Sequence, residues 1–238
     1  MIFYYIRHGD PIYAPDSLTP LGHRQAEALA RRLAVYGLDK IYCSPSVRAK
    51  LTAQPTCELL HMELLDFTYE NYAADDLSIY YEDGTRKWVF QDEDYRHLFF
   101  SRELRALGDD WVTHPAVQKY PRLQSGIERI RQAGTEFFAS LGYEHIPQSG
   151  SYRVLRHNTD RVALFAHHGF GLAFLSTIFD IPYPQFVTHF DIQHSGMTVI
   201  EFSDDEGDII APRLLTLSND AHLYKAGLPT CYNNELRF

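Results

Sequence analysis

Apolar and polar positions alternate with two different periods in the first part of the chain. Residues 2–6 form an unbroken apolar run rich in aromatic and β-branched side chains, which predicts a buried strand. Apolar residues then recur at helical spacing across Pro20–Tyr36. Thr19 suits the N-cap of this helix, Pro20 its first position and Gly37 its C-terminal stop. The pattern therefore predicts a strand followed by a well-capped helix.

The same order repeats directly afterwards. Residues 38–43 are predicted to form a second strand, which breaks at Ser44-Pro45. This dipeptide is typical of an N-cap followed by the first helical residue, and Val47 and Leu51 continue at helical spacing. An order of strand, helix, strand, helix favours a parallel, doubly wound sheet.

The second half of the chain returns to this pattern after an interruption. It predicts a helix that begins at Pro121, a strand over Arg161–Ala166, an apolar helix over residues 170–179, a strand over residues 197–202 and an edge strand over residues 213–217. Residues 145–160 are predicted to form a polar surface loop.

The interruption, residues 73–120, is less regular and rich in aromatic and charged residues. We interpret it as an excursion from the sheet that covers the active site, with short helices near residues 92–107. No Gly/Ser-rich linker separates it, so residues 1–238 are predicted to form a single domain. The predicted fold class is α/β, with three layers (α/β/α) and a mostly parallel doubly wound sheet.

Composition and charge limit the classes of partner and cofactor that this chain can be expected to bind. The formal net charge of −9 over 238 residues argues against nucleic acid and against anionic membranes as general partners. No segment is long enough to span a bilayer. The 3 cysteines have no metal-type spacing, which favours a reduced, cytoplasmic protein. The 12 histidines form no metal-binding pattern, so neither a metal nor another cofactor is predicted.

Candidate chemistry follows the predicted strand ends. Arg7, His8 and Gly9 come directly after the first strand, where ligands bind in open α/β sheets. Arg7 offers a forked donor that suits phosphate or carboxylate, Gly9 allows close approach of the backbone to a ligand, and His8 is a candidate nucleophile or proton carrier.

Two further groups follow strands in the same way. Arg48 falls in the first turn of the helix after the second strand, beside amides that favour anions. His167 and His168, followed by Gly169, come after the strand Arg161–Ala166.

Four motifs in this order resemble the histidine phosphatase superfamily, the phosphoglycerate mutase-like group. They are Ile6-Arg7-His8-Gly9; Leu18-Thr19-Pro20-Leu21-Gly22 with Gln25-Ala26; Ser44-Pro45 with Arg48-Ala49 and Thr52-Ala53; and Phe165-Ala166-His167. The resemblance covers the predicted sheet and its helices but not the excursion.

The resemblance implies a phosphohydrolase that acts on a small phosphorylated metabolite, a phosphomonoester, through a phosphohistidine on His8. Arg7, Arg48 and a second catalytic histidine would hold the phosphoryl oxygens. The register of strand and helix favours His167 for that role, whereas the glycine that follows His168 favours the neighbouring residue. With His167 catalytic, His168 would narrow the phosphate pocket or cap the helix.

The proton donor departs from the family pattern. The Leu-x-Glu motif of the family falls on Leu64-Leu65-Asp66, which makes Asp66 the first candidate and Glu70 the second.

Two other functions stay open alongside phosphatase. The asparagine of the family's mutases is replaced by Ala14, which favours hydrolysis over phosphoglycerate mutase-type transfer. Because the proton donor departs from the family pattern, a non-catalytic phospho-ligand-binding protein is the third possible function. The oligomeric state is open too, with a homodimer as one alternative.

Overall fold

The structure of the chain, a computed structural model, describes residues 1–68, 73–203 and 207–230. Its strands are β1 (Ile2–Arg7), β2 (Pro11–Tyr13), β3 (Asp16–Leu18), β4 (Lys40–Cys43), β5 (Leu64–Asp66), β6 (Ser78–Tyr80), β7 (Arg86–Trp88), β8 (Tyr143–Ile146), β9 (Ser151–Val154), β10 (Arg161–Ala166), β11 (Met197–Glu201), β12 (Ile209–Ile210) and β13 (Arg213–Asn219). Its helices are α1 (Pro20–Tyr36), α2 (Val47–Leu60), α3 (Ala73–Asp76), α4 (Glu93–Phe99), α5 (Arg102–Ala106), α6 (Pro115–Gln118), α7 (Pro121–Ser140), α8 (His168–Ile178), α9 (Tyr183–His189) and α10 (Ala221–Ala226).

A central sheet organises these elements. Within the described residues it has six strands in the order β13-β11-β1-β10-β4-β5. Strands β1, β10, β4 and β5 run parallel, whereas β11 runs antiparallel to both of its neighbours. The predicted α/β fold with a mostly parallel sheet is confirmed.

Strand β1 shows why helices cover both faces of this sheet. Side chains of a strand point to alternate faces, and every residue from Phe3 to Ile6 is buried. Phe3 and Tyr5 pack among aromatic rings of α7 and α8, including Phe138 and Phe174. Tyr4 and Ile6 pack on the other face, in the core that α1 and α2 share. An apolar run of this kind can form only the centre of a layered core.

The first helix is confirmed from cap to cap. The Thr19 side chain accepts a hydrogen bond from the Gly22 amide, and Gly37 ends the helix at φ 72°. The predicted start of α2 was wrong by two residues, because Ser46 and not Ser44 is the N-cap. Ser44 bonds instead to His167.

The predicted loop over residues 145–160 was also wrong in part. Strands β8 and β9 form an antiparallel hairpin there, with His145 opposite Tyr152. Buried and exposed residues alternate in both strands, and the outward Glu144 and Arg153 gave the segment its polar character. The edge position of β13 is confirmed.

The excursion contains α4 and α5, as predicted near residues 92–107, and a β6–β7 hairpin that the sequence did not reveal. After this hairpin, the Phe90 ring lies 5.4 Å from the His168 ring. Trp88 packs so closely on Gly169 that a β-carbon there would clash with the indole. The excursion therefore contacts the first turn of α8. None of the helices described is long and apolar enough to cross a membrane.

Candidate active site

Three strand ends meet at one edge of the sheet. The order β1-β10-β4 places the residues after these strands side by side. The His8 amide donates to the Ala166 carbonyl, and the Ser44 amide donates to the Phe165 carbonyl, both over 2.9 Å. His8, His167 and Ser44 are therefore brought together by backbone pairing, as expected at the carboxyl edge of a parallel sheet.

Gly9, which we also predicted to bind phosphate, packs closely against the start of α1. Its amide donates to Thr52 Oγ1 over 2.9 Å. A β-carbon on Gly9 would lie 2.8 Å from the Gly22 carbonyl oxygen, at the first turn of α1. Gly9 therefore allows close packing of two backbones, and its role in binding phosphate stays a prediction.

The nucleophile candidate, His8, is held in one tautomer. His8 is 2% exposed, and its Nδ1 lies 2.7 Å from the Gly9 carbonyl oxygen. A carbonyl only accepts hydrogen bonds, so Nδ1 carries the proton and Nε2 carries the lone pair. Burial, His167 and Arg7 together hold the pKa of His8 well below its ordinary value of 6.5. The ring is therefore neutral near pH 7, as a nucleophile must be.

Arg48 lies in the first turn of α2 and is fixed from two sides. Its Nη1 donates to Asp16 Oδ1 over 2.8 Å, and its Nη2 donates to His167 Nδ1 over 3.0 Å. Asp16 also accepts from the Val47 amide, at the start of the helix. Arg48 Nε is buried without a hydrogen-bond partner among the described residues. The cluster of Arg7, His8, Arg48 and His167, which we call the clamp, thus contains a guanidinium N–H for which the described residues supply no acceptor.

His167 is oriented by the same arginine. Because Arg48 can only donate, His167 Nδ1 accepts, and the proton of the neutral ring is on Nε2. This Nε2 lies 2.8 Å from Ser44 Oγ and 3.3 Å from Ser46 Oγ. The ring centroids of His167 and His8 are 5.1 Å apart. The choice of His167 therefore agrees with its position at the clamp.

A third histidine, His194, completes the clamp and was missed from the sequence. Arg7 Nη2 lies 2.5 Å from His194 Nε2, and Arg7 Nη1 donates to the Ile192 carbonyl. The rings of His194 and His8 are 5.7 Å apart. Burial, followed by Arg7, lowers the pKa of His194 to about 3. The signal that could have found it is the polar run before β11, which reaches the clamp because β11 is antiparallel to β1.

His168, which we also predicted to bind phosphate, pairs with a carboxylate. Its Nε2 lies 2.5 Å from Asp191 Oδ1, and its ring lies 5.4 Å from the Phe90 ring. The role of His168 in binding phosphate stays a prediction. The pair lines a cavity of about 540 Å³, together with residues that include Phe90, Arg96 and His189.

Of the two candidate acids the structure describes only Asp66, and it does not bring Asp66 to the clamp. Asp66 is exposed at the end of β5, on the sheet edge. Two strands separate β5 from β1, which places the Asp66 backbone roughly 14 Å from Ile6 at the usual strand spacing. An aspartate side chain cannot bridge that distance, so the preference for Asp66 is not supported. Glu70 lies outside the described residues.

Buried histidines make folding stability depend on pH. Burial lowers the pKa values of His8, His168, His194 and His222, to about 3 for His194 and about 4 for His222. The unfolded chain takes up protons on these rings near pH 6.5, whereas the native rings take them up only at lower pH, so stability falls as the pH drops below that value. His194 and His222 alone should lower the free energy of unfolding by about 4 kcal/mol between pH 7 and pH 5.

Urea unfolding at several pH values measures this loss directly. The free energy of unfolding should drop steeply from pH 7 to pH 5 and change little from pH 7 to pH 8. A urea concentration at the unfolding midpoint that is the same at pH 5 as at pH 7 would show that these rings are protonated in the folded state as well.

Comparisons with known proteins agree with this geometry. Residues 3–68 match the model of the histidine phosphatase superfamily (branch 1). A phosphoserine phosphatase from Entamoeba histolytica, solved with 3-phosphoglyceric acid, is 17% identical with a TM-score of 0.56, covering 93% of this chain and 98% of that one. A mycobacterial glucosyl-3-phosphoglycerate phosphatase, solved with inorganic phosphate, is 18% identical with a TM-score of 0.55, covering 93% and 98%. A comparison with curated protein sequences finds no match.

The comparisons support the same class of protein at two levels. The first part of the chain, residues 3–68, is similar to the histidine phosphatase superfamily, and solved phosphatases share the fold of nearly the whole chain. Among the described residues, no group of three or more histidines, cysteines and carboxylates could hold a metal ion.

Proposed function

We propose that this protein is a phosphatase that hydrolyses a small phosphomonoester through a phosphohistidine on His8. One observation carries the proposal. His8 is buried and neutral, with its Nδ1 proton committed to the Gly9 carbonyl and its Nε2 lone pair available beside Arg7, Arg48 and His167. The similarity of the fold to solved phosphatases also supports the proposal.

The first step is a displacement at phosphorus. His8 Nε2 forms a bond to phosphorus while the bond from phosphorus to the ester oxygen breaks. The alcohol leaves with a proton from a carboxylic acid. Nδ1 keeps its proton, and the Gly9 carbonyl stabilises the positive charge that the ring acquires.

The clamp supplies charge stabilisation in this step. Arg7 and Arg48 are cations close enough to the proposed nucleophile to lower its pKa, and His167 is oriented by Arg48. The Nε–H of Arg48, which has no partner among the described residues, is a donor for a phosphoryl oxygen. Donors fixed before the substrate arrives are worth more than donors that must reorganise.

The second step returns the enzyme to its starting state. A water oxygen forms a bond to phosphorus, the bond from phosphorus to Nε2 breaks, and the carboxylate takes the proton of the water. Inorganic phosphate leaves, and His8 regains its lone pair.

Release of phosphate tests the proposal against its alternatives. The purified protein should release inorganic phosphate from at least one member of a panel of phosphomonoesters that includes phosphoserine and phosphoglycerates. Interconversion of phosphoglycerates without release would indicate a mutase. Binding of a phosphorylated compound without either reaction would indicate a non-catalytic protein.

The proton donor can be identified from its dependence on the leaving group. A nitrophenolate leaves without a proton, whereas an alkoxide needs one. Because Asp66 lies far from His8, we expect Glu70→Gln to slow alkyl phosphate hydrolysis by about 10²-fold or more, with a much smaller effect on 4-nitrophenyl phosphate. Asp66→Asn serves as the matched control and should leave both rates within about threefold. A selective loss in Asp66→Asn alone would reverse the assignment.

The body of the substrate is expected in the cavity beside His168 and Asp191. Arg96 is exposed on its wall, and the Arg105 guanidinium lies 3.2 Å from His189 on the same wall. Arg96→Gln should raise KM about tenfold for a phosphomonoester with a second anionic group, and leave KM for 4-nitrophenyl phosphate unchanged. Arg102→Gln, an exposed cation outside this cavity, is the control. Equal effects of the two substitutions would contradict the location.

A further inference from the structure

A second cavity lies between α1 and α10, away from the phosphate clamp. Its volume is about 470 Å³, within the range of small-molecule sites. The lining residues are Ala28, Arg31, Arg32, Val35, Tyr36, Ala221, His222, Lys225 and Ala226. Among the described residues this lining contains three cations and no carboxylate, in a chain whose formal net charge is −9. None of these residues belongs to the clamp.

We call this second cavity the groove, and its cations are Arg31, Arg32 and Lys225. The charges of the two arginines are only partly neutralised. Arg32 Nη1 donates to the neutral side chain of Asn219 over 2.6 Å, which fixes the guanidinium at the wall. Burial lowers the pKa of Arg32, although Tyr36 and Asp220 act in the opposite direction. Asp220 is itself engaged by the Thr230 hydroxyl. Arg31 reaches Glu27 only over 3.9 Å, with both side chains more than half exposed.

His222 gives an independent sign of a ligand. It lines the groove and is 3% exposed. Its Nε2 lies 3.0 Å from Ser195 Oγ, whereas its Nδ1 is buried without a hydrogen-bond partner among the described residues. Buried polar atoms in folded proteins almost always have a partner. The groove is therefore lined by three cations and by a buried ring whose Nδ1 has no partner among the described residues.

An apolar wall faces these polar groups. Tyr36 is 54% exposed and Val35 is 75% exposed, at the last turn of α1. A tyrosine ring of this exposure can stack on a flat ligand ring. Guanidinium forks match phosphate oxygens, and an ammonium adds a point charge.

We propose that the groove between α1 and α10 binds a phosphorylated ring compound of the nucleoside diphosphate class. The phosphates lie against Arg31, Arg32 and Lys225, and the ring lies on Tyr36. The proposal is independent of the phosphatase reaction, because the two sites share no residue.

The groove is nevertheless connected to the nucleophile. His222 bonds to the side chain of Ser195, and the Ser195 amide donates to the His8 carbonyl over 3.0 Å. Ser195 adopts φ 56°, in the left-handed region. A ligand that contacts His222 is thus two hydrogen bonds from the main chain of His8. Because His222 itself lines the groove, the nuclear magnetic resonance signal of its ring reports whether the groove is occupied.

Calorimetric titration of the full chain with ADP tests the proposal. Wild-type protein should bind ADP, and the double substitution Arg31→Gln/Arg32→Gln should raise Kd at least about tenfold. Arg24→Gln, an exposed cation on the same helix outside the groove, should leave Kd within about twofold. Arg48→Gln should also leave it unchanged, because Arg48 belongs to the phosphate clamp.

Three further measurements complete the test. Lys225→Gln should weaken binding as well, which keeps the proposal testable if the double variant fails to fold. Adenosine and pyrophosphate should each bind more weakly than ADP, since each lacks one half of the contacts. ADP should shift the His222 ring signal in nuclear magnetic resonance spectra of the wild type. No binding of ADP at millimolar concentration, or binding lost in Arg48→Gln and retained in the double variant, would overturn the proposal.

Discussion

Replacing His8 by alanine is expected to lower phosphomonoester hydrolysis by at least about 10⁴-fold, because the variant has no atom to form the bond to phosphorus. A reaction quenched within milliseconds should trap acid-labile, alkali-stable phosphate on the wild-type protein and none on His8→Ala. The exposed histidine of α1 supplies the control, and His23→Ala should keep the wild-type rate.

Addition of a chelator to the same assay tests whether the reaction needs a metal ion. In the proposed mechanism the cations that face phosphorus are arginines, so a chelator should leave the wild-type rate unchanged. Full turnover by His8→Ala, or loss on chelation that only a divalent metal restores, would contradict the mechanism.

The second large effect is expected at His167. His167→Ala removes a ring 5.1 Å from His8 and also the acceptor of an Arg48 hydrogen bond. Loss of a preorganised contact to the phosphoryl group lowers kcat by about 10²-fold or more. The effect should fall on kcat for nitrophenyl and alkyl esters alike, because the clamp acts on phosphorus and not on the leaving group.

His168→Ala is the neighbouring control. His168 bonds to Asp191 and lines the cavity proposed for the substrate body, so its removal should raise KM more than it lowers kcat. A larger loss of kcat in His168→Ala than in His167→Ala would move the catalytic assignment one residue along the chain.

The clamp was predictable where its position depends on local sequence. Arg7 and His8 directly follow an apolar run, and Arg48 follows a strand end and a helix start, so strand boundaries alone place these side chains at one edge. His167 could be preferred over His168 from the register of a strand and a helix. Each of these inferences needs only the neighbouring residues and the parallel order of the strands.

His194 and Asp66 show what local sequence leaves out. His194 reaches the clamp because the strand after it runs antiparallel to β1, and nothing within that segment gives its direction. Asp66 was judged from a motif position, but β5 is an edge strand two places beyond β10. Gly9 is a similar case, since its contact with Gly22 depends on how α1 packs against the loop. These features are set by tertiary packing.

The hydrogen bond from His8 to Gly9 has a consequence for sequence divergence. Its acceptor is a main-chain carbonyl, so no change of a neighbouring side chain removes the acceptor group itself. The tautomer of the nucleophile is therefore robust to mutation in a way that a carboxylate partner would not allow. In the proposed mechanism, the side chains around the site could therefore change, and the substrate with them, while Nε2 of His8 keeps its lone pair.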